Sequence, residues 1–177
     1  MYLTVHATIG ALIATQTHNP ALAFGAGFAS HFLFDFIPHG DEKVGEMITS
    51  HKAKFIFVAS VDLVLTICLT ILILAMAGDF SQRHLVLLVG IIGAVLPDFI
   101  SMAFPEFHKL LRANSIVAFW YRALRWIYIP QAAEQLNRFH HWIHSIILRR
   151  TGFKLSFPQG LVFQVAFLCL LLAKLFN

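Results

Sequence analysis

Ser30-His31-Phe32-Leu33-Phe34-Asp35-Phe36-Ile37-Pro38-His39-Gly40-Asp41-Glu42 runs straight off the end of an apolar segment. His31 and Asp35 are four residues apart, so on a helix they lie about 40° from one another, on one face. An imidazole and a carboxylate on adjacent turns can grip one metal ion or share one proton. Pro38 and Gly40 then stop the helix, because one lacks an N–H and the other favours turn geometry. His39, Asp41 and Glu42 follow at that helix end. A charge inside a membrane helix costs several kcal/mol, so such residues are functional candidates by default. The plainer alternative is a His–Asp hydrogen bond that ties two helices together.

Composition sets the class. The chain has 177 residues, 58% hydrophobic and 12% charged, with a mean hydropathy of +0.74. Soluble domains run at about 45–50% apolar and about 25% charged. The composition therefore predicts a polytopic, all-α membrane protein, a single membrane-embedded domain over residues 1–177. The net charge of +4 fits contact with the headgroups of membrane lipids better than nucleic-acid binding. Cys68 and Cys169 lie in apolar runs and read as small buried hydrophobes rather than a disulfide framework. No Lys or Arg precedes the first apolar run, so no cleaved signal peptide is expected.

Taken in order, residues 3–17 are apolar but short, with His6 near their start. Asn19-Pro20 marks a turn, and residues 20–38 form a second segment in which Gly25 and Gly27 permit close helix approach. Residues 55–78 read as the clearest span, interrupted only by Asp62, and residues 85–104 as the next, ending in Leu96-Pro97-Asp98 and Pro105. Residues 105–154 carry eight Lys or Arg. Within them Ile116, Phe119, Trp120, Ala123, Leu124 and Ile127 repeat at helical spacing while Arg122 and Arg125 point away, the pattern of an interfacial helix or equally of a helix packed on the protein itself. Pro130 opens a helix with Glu134, His140, His141 and His144, and residues 156–176 are a last apolar span. The expected architecture is a helical bundle of about five membrane segments plus interfacial helices.

Lys and Arg favour cytoplasmic loops. Placing residues 39–54 and 105–154 inside satisfies nearly all of them. His6, His31, Asp35, His39, Asp62, Asp98 and the His140/His141/His144 group then fall at one depth on the cytoplasmic side. His and Asp side chains at one level suit Zn²⁺, Mn²⁺ or Fe²⁺. His140 with His144, or His141 with His144, can present two nitrogens to one ion. A catalytic metal lowers the pKa of its water toward neutrality, and two neighbouring ions clamp a phosphoester well. No Walker loop, dinucleotide fingerprint or GxSxG elbow occurs, which argues against nucleotide binding and serine hydrolysis.

Ser30-His31-x-x-x-Asp35-x-x-Pro38-x-Gly40 resembles the SHxxxDxxTPxG segment of the YdjM-like family of inner-membrane metal-dependent hydrolases. Gly93-Ala94-Val95-Leu96-Pro97-Asp98 is similar to that family's GxLLPD segment, His141-Trp142-Ile143-His144-Ser145 to its HRGxTHS segment, and His6 to its early histidine. The segments stand in a different order here, and Phe99-Ile100-Ser101 replaces the acidic and histidine residues that follow LPD. A fainter similarity links the family to all-α zinc phospholipases C and P1-type nucleases. The resemblance implies a bacterial or archaeal cytoplasmic membrane protein acting on a phosphoester or lipid.

One internal echo stands apart: Gly27 to Asp35-Phe36-Ile37 and Gly90 to Asp98-Phe99-Ile100 have equal spacing. Matches of this size also arise by chance in a Phe/Ile-rich chain. The favoured reading is a membrane-bound metal-dependent hydrolase holding one or two divalent ions, zinc first. Its ligands are His6, His31, Asp35, Asp98 and His144 with His140 or His141. Asp62 serves as an extra ligand or as a carboxylate orienting a histidine, and Glu134 or Glu42 as general base. The alternatives are a transporter of metal ions or protons, and a structural protein whose histidines bond helices. The charge asymmetry makes a topological prediction: cysteines placed at Gly45 or Arg112 should stay unlabelled by an impermeant maleimide added to intact cells. Ready labelling there would reverse the orientation.

Overall fold

The computed structural model describes residues 1–40, 52–78, 82–113, 129–151 and 155–176. Among them are six helices and no strand. These are α1 (Leu3–Ala14), α2 (Pro20–Asp35), α3 (Lys52–Met76), α4 (Gln82–Ala113), α5 (Ile129–Thr151) and α6 (Phe157–Phe176). The expected interfacial helix with Arg122 and Arg125 lies outside the described residues. The turn at Asn19-Pro20 is a helix cap: the Asn19 carboxamide accepts from Ala21 N at 2.9 Å and Leu22 N at 3.2 Å, and Pro20 opens α2.

Among the described residues three helices, not five, are long and apolar enough to cross a membrane: Ala53–Met76, Gln82–Ser101 and Phe157–Phe176. The two that fall short are α1 and α2, with 12 and 16 residues. At 1.5 Å per residue they reach about 18 and about 24 Å, against a hydrocarbon core of about 30 Å. The sequence makes α1 look like a span because it is apolar on every side. That pattern also suits a helix buried within protein, and here every residue from Leu3 to Ala11 is buried. One face of α1 packs Leu3, Ala7, Ala11 and Ala14 against Ile73 of α3 and Val86, Leu87, Ile91 and Val95 of α4. The other packs Met1, Val5 and Ile9 against Phe163, Phe167, Leu168 and Leu171 of α6. The outward faces of α3 and α6 carry exposed Phe57, Ile71, Val162 and Leu170, compatible with an integral membrane protein.

The short helices approach α4 across glycine. A side chain added at Gly10 would stand 2.5 Å from the Gly90 carbonyl oxygen, and one at Gly90 would stand 2.8 Å from Ala14 Cβ. One at Gly27 would also meet the Gly90 carbonyl. Small residues let helix backbones pack this closely without side-chain clash. The same α4 runs on through Pro97 and Pro105 to Ala113, past the end expected at residue 104. Gly93 lies four residues before Pro97, where a proline ring crowds the preceding turn.

This crossing predicts a contrast. Gly90→Ala and Gly10→Ala should each destabilise the protein by about 1–3 kcal/mol, the cost of overpacking a tight core. Gly25, with nothing near its would-be Cβ, should accept alanine with no loss. Thermal unfolding in detergent, variant beside parent, reads the difference.

Candidate metal centre

The α2 and α4 helices bring His31, Asp35 and Asp98 to one point, and α5 adds His140. One donor atom from each of these four lies within 4.8 Å of every other. His31 Nε2 is 3.1 Å from Asp35 Oδ2, 3.2 Å from His140 Nε2 and 3.7 Å from Asp98 Oδ1. His140 Nε2 is 3.1 Å from Asp35 Oδ2 and 3.5 Å from Asp98 Oδ1. The His31 and Asp35 side chains have no exposure and His140 has 6%, whereas Asp98 retains 15%. The cluster therefore opens to its surroundings on the Asp98 side.

Hydrogen bonding sets one tautomer. The Ala94 carbonyl can only accept, so His31 Nδ1–H donates to it at 2.8 Å. In the neutral imidazole, Nε2 then carries a lone pair, aimed at the carboxylate oxygens and His140 Nε2. Four donor atoms thus converge: His31 Nε2 with its lone pair, one oxygen each of Asp35 and Asp98, and His140 Nε2, which offers a lone pair in the tautomer protonated on Nδ1. A single proton can bridge one pair of them, whereas one cation at the centre can meet all four. Donors at about 2.0–2.2 Å from a tetrahedral Zn²⁺ stand about 3.3–3.6 Å from one another. The separations measured from the two imidazole nitrogens, 3.1 to 3.7 Å, bracket that figure, and the two carboxylate oxygens lie within 4.8 Å of each other. Two imidazoles and two carboxylates of this geometry can hold a metal ion.

The equal spacing of Gly27–Asp35 and Gly90–Asp98 has a physical use here. The two helices meet at the glycine pair, and the same number of residues further along each delivers its aspartate to the cluster. Next to the four donors stands an aromatic flank. The Phe32 ring lies 5.3 Å from His31 and 5.1 Å from Phe139, and Phe139 stacks on Trp142 at 5.9 Å.

His6 is brought to the cluster but is not one of the four donors. Its ring stacks on His31 at 4.1 Å, and its Nε2 lies 3.2 Å from the far oxygen of Asp35, Oδ1. The Met1 amine is 2.9 Å from the same oxygen, and His39 Nε2 is 4.0 Å away. His141 and His144 lie on α5, but their side chains fall outside the described residues, as does Glu42.

Two expected site residues are placed elsewhere. Asp62, expected as a ligand or histidine-orienting carboxylate, caps α1 instead. It accepts from Leu3 N at 2.7 Å, from Thr4 N at 3.2 Å and from the Thr4 hydroxyl. The first N–H groups of a helix have no partner within it, and α1 begins inside the bundle, where water does not serve. That need claims the carboxylate. Glu134, expected as a general base, is exposed and paired with Arg138 at 2.7 Å. Six residues before His140, it sits about 120° round the helix from it.

Gln164 of α6 was not foreseen. It accepts from Tyr2 N at 2.6 Å and donates to the His39 carbonyl at 2.8 Å, so it fixes the start of α1 and the end of α2 together. A lone amide within an apolar span was the signal that could have found it. The chain matches no family model, no curated protein and no solved structure.

The Asp62 placement makes its own prediction. Asp62→Ala should lower stability by about 1–3 kcal/mol, because buried donors lose their acceptor, while metal stoichiometry at saturation stays that of the parent. Chemical unfolding together with elemental analysis separates this from a ligand role, in which stoichiometry would fall.

Proposed function

We propose that this chain is a membrane-bound, metal-dependent hydrolase acting on a phosphoester or lipid at the membrane surface. The observation that supports it is the convergence of four possible ligand atoms from His31, Asp35, Asp98 and His140, all within 4.8 Å of one another. The mixed nitrogen and oxygen set favours Zn²⁺, with Mn²⁺ or Fe²⁺ next. Asp35 and Asp98 offset the charge of a divalent ion, and the Ala94 carbonyl keeps the His31 lone pair on the nitrogen that faces it. When bound, such an ion supplies Lewis acidity and a water that ionises near neutral pH. The Asp98 side is where substrate enters, since it is the exposed edge of the group. Phe139 and Trp142, both exposed, suit the boundary between acyl chains and headgroups.

The placement of the site in a bacterial or archaeal cytoplasmic membrane, facing the cytoplasm, belongs to the same proposal. It rests on the charge asymmetry and on the resemblance to YdjM-like hydrolases. Asp35→Asn keeps the side chain's shape, but a neutral amide is a poor ligand for a transition metal. Asp35→Asn, Asp98→Asn and His31→Ala should each cut metal content severely and abolish hydrolysis of a phosphodiester or phospholipid. Elemental analysis and a hydrolysis panel on purified protein test this. A parent that stays metal-free after Zn²⁺, Mn²⁺ and Fe²⁺ supplementation, or full occupancy in Asp35→Asn, would refute it. A parent that holds metal yet hydrolyses nothing and conducts ions in vesicles would point to transport.

A further inference from the structure

Resting on that metal-site reading, we propose that His6 is the positioning residue for the Asp35 ligand. Its ring lies against His31 on one side and its Nε2 holds the carboxylate oxygen that faces away from the cluster. The terminal torsion of an aspartate is soft, with a broad distribution rather than sharp wells. A carboxylate that must present one oxygen to a metal therefore needs its other oxygen held. His31 and His140 approach Asp35 at Oδ2, and contacts at one oxygen leave the plane of the group free to turn. On the Oδ1 side, His6 Nε2 stands at 3.2 Å.

His6 is suited to this task. It is 0% exposed, and its ring stacks on His31 at 4.1 Å with only 26° between the planes. One side chain thus braces a carboxylate ligand and an imidazole ligand together. Its Nδ1 is buried without a hydrogen-bond partner. An unpartnered N–H is rarer in protein interiors than an unpartnered acceptor, so the ring proton belongs on Nε2, where it is donated to Asp35 Oδ1. This gives His6 the role that outer carboxylates play for metal-bound histidines, with the partners exchanged.

The backbone of α1 is anchored for the purpose. Asp62 holds Leu3 N and Thr4 N, and Gln164 holds Tyr2 N, so His6 follows within one turn of a fixed start. The Met1 amine also contacts Oδ1, at 2.9 Å. Loss of His6 should therefore weaken metal binding without abolishing it.

The test uses Co²⁺ as probe and the full chain in detergent, titrating the parent, His6→Gln and His6→Ala. The amide N–H of glutamine can reach Oδ1 as the imidazole does. His6→Ala should raise the Kd for Co²⁺ by about 10–100-fold, the range for outer-shell partners, and His6→Gln should recover most of that loss. At saturation, the visible absorption bands of all three should coincide, because the ligands are unchanged. Altered bands in His6→Ala at saturation would make His6 a ligand and overturn the proposal. An unchanged Kd in His6→Ala would equally overturn it. A parent that binds no Co²⁺ would instead remove the metal site itself, an outcome visible before any variant is compared.

Discussion

The Asp35 carboxylate is buried without exposure in an apolar bundle, and much of the architecture answers to that one group. Desolvating a carboxylate is costly unless it is paired and hydrogen-bonded. Its two oxygens divide the work. Oδ2 meets His31 and His140, and Oδ1 meets His6 and the Met1 amine. These partners come from α2, α5 and the start of α1, while α4 adds Asp98 and the carbonyl of Ala94. The close glycine crossings are the geometric condition for this meeting. With larger residues at Gly10, Gly27 or Gly90, the helices would separate and the donor atoms would no longer reach one another.

A second constraint follows from placing a short helix inside the bundle. The start of α1 exposes backbone donors where water is excluded, and each must find a partner. Two apolar spans supply them: Asp62 from α3 and Gln164 from α6. Polar residues in membrane helices are costly and so seldom idle. Asp62 and Gln164 anchor α1, whereas His31, Asp35, Asp98 and His140 gather at the candidate metal site. His6 on α1 joins the two, so the stability of the helix start and the geometry of the centre are mechanically linked.

Much of this was legible in the sequence. The i, i+4 pair of His31 and Asp35 and the LPD aspartate came from spacing and from the rarity of charge in apolar segments, and the structure brings these residues together. Helix positions were legible too, because apolar runs bounded by Asn19-Pro20 and by Pro130 mark them clearly. The number of spans was not. A helix apolar all round can face lipid or protein, and only the packing around α1 distinguishes them. Nor was the role of Asp62 legible. An intramembrane carboxylate announces that it has a partner, but the sequence does not say that the partner is the backbone of Leu3 and Thr4. His6 was expected as a ligand, but it stands on the far oxygen of Asp35 and outside the four-donor group, a ring position no spacing rule supplies.

The central claim is that two imidazoles and two carboxylates form one ion site. The most direct measurement is X-ray absorption on the purified protein loaded with one equivalent of Zn²⁺. The account predicts a shell of nitrogen and oxygen at about 2.0–2.2 Å made by the four protein donors plus a water, five-coordinate in all, with scattering from two imidazole rings, and loss of one ring in His140→Ala. A shell of oxygens without imidazole, or a spectrum unchanged by His140→Ala, would contradict it.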